Sequence, residues 1–172
     1  MCTSKLRRLK TVTFDSTAEP NSAVVLAAIN AGWHVAFVSV SVREAQFTDF
    51  CVEIKKHDLV PELGVWEESS WDEARWADES SGDRLEKILA IISNSGFPKS
   101  RNQLSEGQRH QLRDAMILEA HVAAERTTFV TDDLRAFITH GRRERLENLL
   151  STRILSSFEF KAKLCNENIG SE

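Results

Sequence analysis

The chain has 172 residues, of which 41% are hydrophobic and 28% charged, the usual balance of a soluble globular protein of one domain. No apolar run approaches the roughly 20 residues that span a bilayer, and the basic N-terminus lacks the apolar stretch of a signal peptide. We therefore expect a cytoplasmic protein with no membrane contact. Cys2, Cys51 and Cys165 are far apart and form no Cys-x-x-Cys pair, which argues against a disulfide framework or a zinc site.

The net charge of −4 does not by itself indicate nucleic-acid binding, but the charges are unevenly distributed. Between Glu62 and Glu86 there are nine acidic and two basic residues, whereas between Arg126 and Lys163 there are eight basic and five acidic ones. An acidic chain can therefore present a basic lip beside an acidic pocket. The simpler interpretation of both segments is a solvated helix surface.

The first half of the chain predicts alternating strands and helices. Residues 11–14 are typical of a short strand, and residues 19–22 of a helix start whose apolar body ends before Gly32. The near-continuous apolar run 35–40 indicates a buried parallel strand. We expect a helix from about Val42 to His57 after it, and a short strand at Val65-Trp66.

The second half continues the alternation. Residues 85–92 form an amphipathic pattern, and Ser105 with Gln108 resembles a capping box that opens a helix reaching towards Glu125. Further elements are predicted at 127–131 (strand), 133–140 and 142–150 (helices), and 153–156 (strand), followed by a short helix and a polar tail from about residue 166. The fold class is therefore α/β: a single-domain α/β/α sandwich with a mainly parallel sheet and a core from about residue 11 to residue 160.

Acidic residues occur where strands meet helices. Asp15 and the pair Asp132-Asp133 directly follow predicted strands, and Glu44 is placed in the first turn of the helix after the second strand, where the helix dipole favours an anion. Asp114 flanks an apolar stripe of the long helix and can reach the same edge of the sheet. In sheets of this class, ligands collect beyond the carboxyl ends of the strands.

Four acids at one rim repel one another unless a divalent cation lies between them. Carboxylate oxygens are the ligands that Mg²⁺ and Mn²⁺ prefer, and such ions serve phosphodiester hydrolysis without any histidine or cysteine. Each acid also has a structural interpretation, as a helix cap, a turn residue or a surface ion-pair partner. The occurrence of several acids together near strand ends favours the metal site over these separate structural interpretations.

The same residues resemble the PIN-domain family, whose members are mostly metal-dependent ribonucleases. The resemblance rests on Phe14-Asp15-Ser16-Thr17, on Val42-Arg43-Glu44-Ala45, on Asp114-Ala115-Met116-Ile117 with His121 seven residues after Asp114, and on Phe129-Val130-Thr131-Asp132-Asp133-Leu134-Arg135-Ala136-Phe137. It covers the chain from about Thr11 to Phe160.

The resemblance implies a PIN-like ribonuclease that cleaves RNA with Mg²⁺ or Mn²⁺. Asp15, Glu44, Asp114 and Asp133 would be the catalytic, metal-holding acids, with Asp132 an auxiliary ligand. Thr131 would hydrogen-bond one of them. Many family members are toxins of toxin–antitoxin pairs, which implies an antitoxin-type protein partner, and a homodimer is a further expectation.

The family often has a small residue where this chain has His121, which leaves a one-residue shift open. Glu119 is then a reserve candidate for the third acid, and Asp78 or Glu79 weaker ones. Arg142, Arg143 and Arg145 are candidates for an RNA-binding lip, or for a solvated helix surface paired with neighbouring glutamates.

Two other functions stay open. Phe14-Asp15-Ser16-Thr17 is also similar to the nucleophile loop of aspartate phosphatases, but the first acid of that loop is here Thr13. The second is a catalytically weak or inactive PIN-like scaffold that acts through protein or RNA binding. The histidines show no ligand spacing, with His57 and His121 expected at or near the surface, and the tryptophans are expected in packing or in an oligomer contact.

Overall fold

A computed structural model of the chain describes residues 9–15, 23–45, 50–65, 67–69 and 74–169. The strands are β1 (Thr11–Phe14), β2 (His34–Val38), β3 (Asp58–Val60), β4 (Thr128–Val130) and β5 (Arg153–Leu155). The helices are α1 (Ala23–Asn30), α2 (Ser39–Glu44), α3 (Phe50–Ile54), α4 (Glu79–Ile92), α5 (Glu106–Ala123), α6 (Arg142–Leu150) and α7 (Ser157–Ile169). A single π-helical turn, Leu134–Ile138, lies between β4 and α6.

The five strands form one parallel sheet in the order β3-β2-β1-β4-β5. The chain builds outward from β1 to β2 and β3, then crosses back to β4 and β5 on the other side. The strand order therefore switches at β1 and β4, where Phe14 is in register with Val130. Ligands of parallel α/β sheets bind at this kind of switch, beyond the carboxyl ends of the strands.

Alternate residues of the strands enter two separate cores, because successive side chains of a strand point to opposite faces. On one face Ala36 and Val38 of β2 pack with buried residues of α4, α5 and α6. On the other face Val35 and Phe37 pack with buried residues of α1 and α7. Helices on both faces of a parallel sheet confirm the α/β sandwich predicted from the sequence.

Local sequence signals explain several helix ends. After α1, Gly32 has a φ of +75°, and the N–H of Trp33 donates to the carbonyl of Ala28 at 3.0 Å, which is the Schellman arrangement that favours glycine. At the start of α5 the Ser105 hydroxyl accepts from the Gln108 N–H at 3.3 Å, while the Gln108 side chain accepts from the Ser105 N–H at 2.8 Å. The predicted capping box is confirmed.

Several predicted boundaries are wrong. The strand expected over 35–40 ends at Val38, and the helix expected from Val42 to His57 is two short helices, α2 and α3. The three-residue strand β3 was not predicted, while the strand at Val65-Trp66 falls partly outside the described residues. The expected polar tail is the end of α7, whose Glu167 accepts a hydrogen bond from Lys10 at 2.8 Å. The helix start at 19–22 also lies outside the described residues.

His121 was expected near the surface but is buried, whereas Trp33 is packed as predicted. His121 is fully buried, with one ring nitrogen 2.9 Å from the Thr13 hydroxyl and the other 2.7 Å from the Thr152 hydroxyl. Burial lowers the pKa of His121 to about 3, with the nearby Arg126 guanidinium acting in the same direction, so the ring is neutral and one nitrogen donates while the other accepts. Trp33 packs edge-on against Phe160 with ring centroids 5.1 Å apart, which confirms packing for this tryptophan.

Among the described helices, none combines the length and the apolar character that a membrane crossing requires.

Candidate functional site

The carboxyl ends of β1 and β4 place Asp15 and Asp133 close together. Asp15 is 1% exposed and its N–H donates to the Val130 carbonyl at 2.9 Å, which continues the pairing of β1 with β4. The Thr131 hydroxyl donates to Asp15 Oδ2 at 2.7 Å and accepts the Asp133 N–H at 3.0 Å. One hydroxyl thus joins the two acids, and the predicted hydrogen bond of Thr131 is confirmed.

The side chain of Asp133 stabilises the turn that follows β4. Asp133 Oδ1 accepts the N–H of Ala136 at 2.7 Å and so caps the π-helical turn. A capping carboxylate engages one oxygen and has a second available to other partners. Asp133 is therefore both a structural cap and an acid directed to the sheet edge. The structural and functional interpretations of this residue are compatible.

Glu44 reaches the site from a different helix end than the sequence suggested. It was predicted in the first turn of a helix, but it is the last residue of α2. The helix dipole at a C-terminus disfavours an anion, so the expected stabilisation by an N-terminus is wrong. The helix begins at Ser39, before the predicted start at about Val42. Ser39 and Val40 continue the apolar run of β2 in the sequence but belong to the helix.

Asp114 lies within electrostatic range of the other three predicted acids. Its pKa is raised to about 8, first by burial and then by the charges of Asp15, Asp133 and Glu44, while Arg113 acts in the opposite direction. Charges raise a carboxyl pKa in this way only at short range or through a poorly screened interior. The charges of Asp15, Asp133 and Glu44 therefore act on Asp114, and Asp133 lines the same cleft as Asp114.

The donors at this edge are carboxylates, the type of ligand that suits a hard divalent cation. Among the described residues no group donates a hydrogen bond to the Asp114 carboxyl, so a partly buried acid is left among like charges. Within those same residues, no three acidic, histidine or cysteine side chains are arranged to grip an ion directly. Mg²⁺ usually keeps several waters and takes only one or two carboxylates directly, so acids set further apart can hold it through water.

Asp132 and the reserve acids have structural roles. Both oxygens of Asp132 accept from Ser157, at 3.0 Å from its N–H and 2.6 Å from its hydroxyl, at the start of α7. Glu119 is fully buried and pairs with Arg75 and Arg84. The two weaker reserve candidates are at the start of α4. Asp78 is the N-cap, and hydrogen bonds from Ser81 lower its pKa to about 2, while Glu79 is in the first turn.

An open cleft of about 500 Å³ leads to this site between α5 and the chain after β4. One wall carries His110, Gln111 and Asp114, which recur on one face of α5, and the other carries Asp133, Arg135 and Arg142. The cleft therefore combines two of the acids with two guanidinium groups. Sequence reasoning gave Arg135 no role, although its place two residues after Asp133 is a signal that was available.

The three predicted RNA-binding arginines differ in their surroundings. Arg142 lines the cleft and donates to the Arg135 carbonyl. Arg143 donates to Glu159 at 2.7 Å, which ties α6 to α7 and lowers the pKa of Glu159. Arg145 is exposed. The structure brings Arg142 to the site, whereas Arg143 has a structural partner.

No protein-family model, curated protein or solved structure matches this chain. What the site does must be inferred from its own residues.

Proposed function

We propose that the protein is a PIN-like ribonuclease that hydrolyses RNA phosphodiester bonds with Mg²⁺ or Mn²⁺. The observation that carries the proposal is the placement of Asp15 and Asp133 at the carboxyl ends of β1 and β4, joined by the Thr131 hydroxyl, with Asp133 and Asp114 on the walls of one cleft. When bound, such a cation neutralises the developing charge of the phosphodiester and activates a water molecule. The proposed likeness to PIN domains rests on the sequence motifs around Asp15, Glu44, Asp114 and Asp133.

Each acid has a distinct contribution in this proposal. Asp15 and Asp133 are held at the ends of β1 and β4 by the Thr131 hydroxyl, so their geometry is set by the sheet. Asp114 and Glu44 approach from helices α5 and α2. Asp15, Glu44, Asp114 and Asp133 would hold the cation, partly through water. Asp132 stays a predicted auxiliary ligand.

The cleft supports an extended polyanion as the substrate. Arg135 and Arg142 supply positive charge in the same cleft as the acids, which is the arrangement needed to attract phosphates that flank the scissile one. A toxin role, an antitoxin-type partner, homodimerisation and a cytoplasmic location stay predictions that this geometry does not address.

The direct test is cleavage of a mixed RNA pool in Mn²⁺ or Mg²⁺. We expect Asp15→Asn to lose at least about 100-fold in rate, because even groups that only orient metal ligands are typically worth 10–100-fold. The matched control is Asp83→Asn, the same substitution at an exposed position of α4. Equal rates in wild type and Asp15→Asn, or no cleavage with either metal, would favour the scaffold alternative.

The role of the cleft is tested by a matched pair of glycines. Gly107 lines the cleft and Gly82 does not, both are helical, and a Cβ at either position meets nothing within 4 Å. We expect Gly107→Glu to weaken RNA binding by about fivefold or more, the effect of roughly 1 kcal/mol of repulsion, and Gly82→Glu to leave it unchanged.

Fluorescence anisotropy of a labelled RNA oligonucleotide, measured without divalent metal, gives both affinities. The difference should shrink at high salt because screening weakens the repulsion. Both variants should be at least as stable as the wild type, since glycine is a poor helix former. Equal affinities at low salt would remove the cleft from the binding surface.

A further inference from the structure

The arginines that immediately precede two site acids both donate to one residue, Glu68, Arg113 to its buried carboxylate and Arg43 to its backbone carbonyl. Arg113 Nε donates to Glu68 Oε2 at 3.0 Å, and Arg43 Nη2 donates to the backbone carbonyl of Glu68 at 2.8 Å. Arg113 precedes Asp114 on α5, and Arg43 precedes Glu44 on α2. Two helices that each contribute an acid to the site are thus tied to the same residue.

The side chain of Glu68 is suited to hold α5 in place. Its side chain is 2% exposed, and its second oxygen Oε1 accepts from Arg109, one turn before Arg113 on α5. A buried carboxylate is stable only when its charge is paired and its oxygens are hydrogen-bonded, and here both oxygens have guanidinium donors. Charge-assisted bonds of this kind are stronger and more directional than neutral ones.

A second buried acid strengthens the link to α2. Arg43 Nη1 lies 2.5 Å from Oε1 of Glu62, which is fully buried. Ser39, the first residue of α2, donates to the same carboxylate and accepts the Glu62 N–H at 3.1 Å. The short helix that ends in Glu44 is therefore held at its first residue and at its next-to-last one. A six-residue helix needs such tertiary contacts, because it is not stable by itself.

We propose that Glu68 is a positioning residue, which sets the separation of Glu44 and Asp114 by holding Arg43 and Arg113 at once. This inference rests on the proposed function, since it concerns the two acids that approach the cation from helices. Asp15 and Asp133 need no ion pair to position them, because they follow neighbouring strands and both hydrogen-bond the Thr131 hydroxyl. Loss of the Glu68 carboxylate would leave the sheet-borne acids in place and release Arg113, so that Asp114 moves relative to Glu44, whose neighbour Arg43 is still held by the backbone carbonyl of residue 68.

The chain contains a matched control for a purely structural role. Glu119 is also a buried glutamate that pairs with two arginines, Arg75 and Arg84. Neither arginine adjoins a site acid in the sequence. Replacement of Glu119 therefore removes an ion-pair network of the same type without removing a contact of Arg43 or Arg113.

The experiment compares Glu68→Gln with Glu119→Gln by titration calorimetry with Mn²⁺ at a temperature where circular dichroism shows both to be folded. We expect Glu68→Gln to bind Mn²⁺ about tenfold more weakly and Glu119→Gln to bind it as the wild type does. RNA cleavage at saturating Mn²⁺ should show a lower kcat with little change in KM for Glu68→Gln only. If a glutamine variant does not fold, Glu68→Asp and Glu119→Asp replace the pair, with a smaller difference expected.

Backbone hydrogen exchange of the metal-free proteins is a second measurement, which does not depend on metal binding. Amides of α5 around Asp114 should exchange faster in Glu68→Gln than in wild type, without global unfolding, and should not do so in Glu119→Gln, whereas α2 keeps its contacts in both variants. Equal loss of Mn²⁺ affinity in both variants, or unchanged exchange in Glu68→Gln, would overturn the positioning role. If wild type neither binds Mn²⁺ nor cleaves RNA, the proposed function fails and the exchange result alone decides the role of Glu68.

Discussion

Asp114→Asn is expected to abolish metal-dependent RNA cleavage and, at the same time, to stabilise the metal-free protein at pH 8. Both effects have one cause, because the carboxyl lies partly buried among Asp15, Asp133 and Glu44. With the cation, that charge is useful for binding. Without it, the charge is repelled by its neighbours and disfavoured by burial.

The pH dependence follows from the direction of the shift. The pKa of Asp114 is raised from 3.8 to about 8, so the folded protein binds a proton over a range in which the unfolded chain has lost it. The associated stability is fully present below pH 3.8, decreases as the pH rises, and is lost once the pH passes about 8. Asparagine cannot ionise, so the variant does not undergo this loss.

Urea unfolding of both proteins, in EDTA, measures the difference. We expect the free energy of unfolding of Asp114→Asn to exceed that of wild type at pH 8 by at least about 1.4 kcal/mol, the equivalent of one pKa unit. The excess should shrink as the pH is lowered to about 5. At pH 8, Mn²⁺ should raise the melting temperature of wild type and not that of the variant. Equal stability at both pH values would contradict the clustering of the acids.

The sequence was sufficient to find the sheet edge on which the site is built. Asp15 and Asp133 directly follow apolar strands, and parallel strands necessarily end at the same edge. Their proximity therefore needed no knowledge of strand order beyond β1 and β4 being neighbours. Asp114 was found because it flanks the buried face of a long helix, and that face must pack on the sheet.

The boundary between β2 and α2 was missed for a physical reason. Ser39, Val40, Ser41 and Val42 are buried although they are helical, so hydrophobicity does not distinguish them from the strand that precedes them. β3 was missed because it has only three residues, two of which are exposed. Such a short edge strand has no recognisable alternation.

The buried glutamates could not have been predicted from the acidic segment in which two of them lie. Acidic residues are mostly exposed, so the segment was interpreted as solvated surface, and this is wrong for Glu62 and Glu68. Their arginine partners come from α2 and α5, and Arg113 is 45 residues away from Glu68. Pairing over such a distance depends on the tertiary fold, which composition and spacing do not contain.

Glu119→Ala is expected to be the most destabilising of the substitutions considered, at about 3–5 kcal/mol. Its carboxylate is fully buried, with Arg84 Nη2 3.0 Å from Oε1 and Arg75 bound to Oε2. Removal of one partner of a buried ion pair costs this much because it leaves the other charge uncompensated. Here two guanidinium groups lose their shared acceptor, and a cavity remains on the sheet-facing helix.

Substitutions of the two arginines provide a comparison for the stability lost in Glu119→Ala. Arg75 and Arg84 are 24% and 26% exposed, so each is partly hydrated, and each can be removed while the other still neutralises Glu119. We therefore expect Arg75→Ala and Arg84→Ala each to cost less than Glu119→Ala, and the double arginine variant to cost more than the sum of the single ones. Urea unfolding at constant slope gives all four values. A Glu119→Ala cost no larger than that of either arginine would mean that the carboxylate is not the shared acceptor of this network.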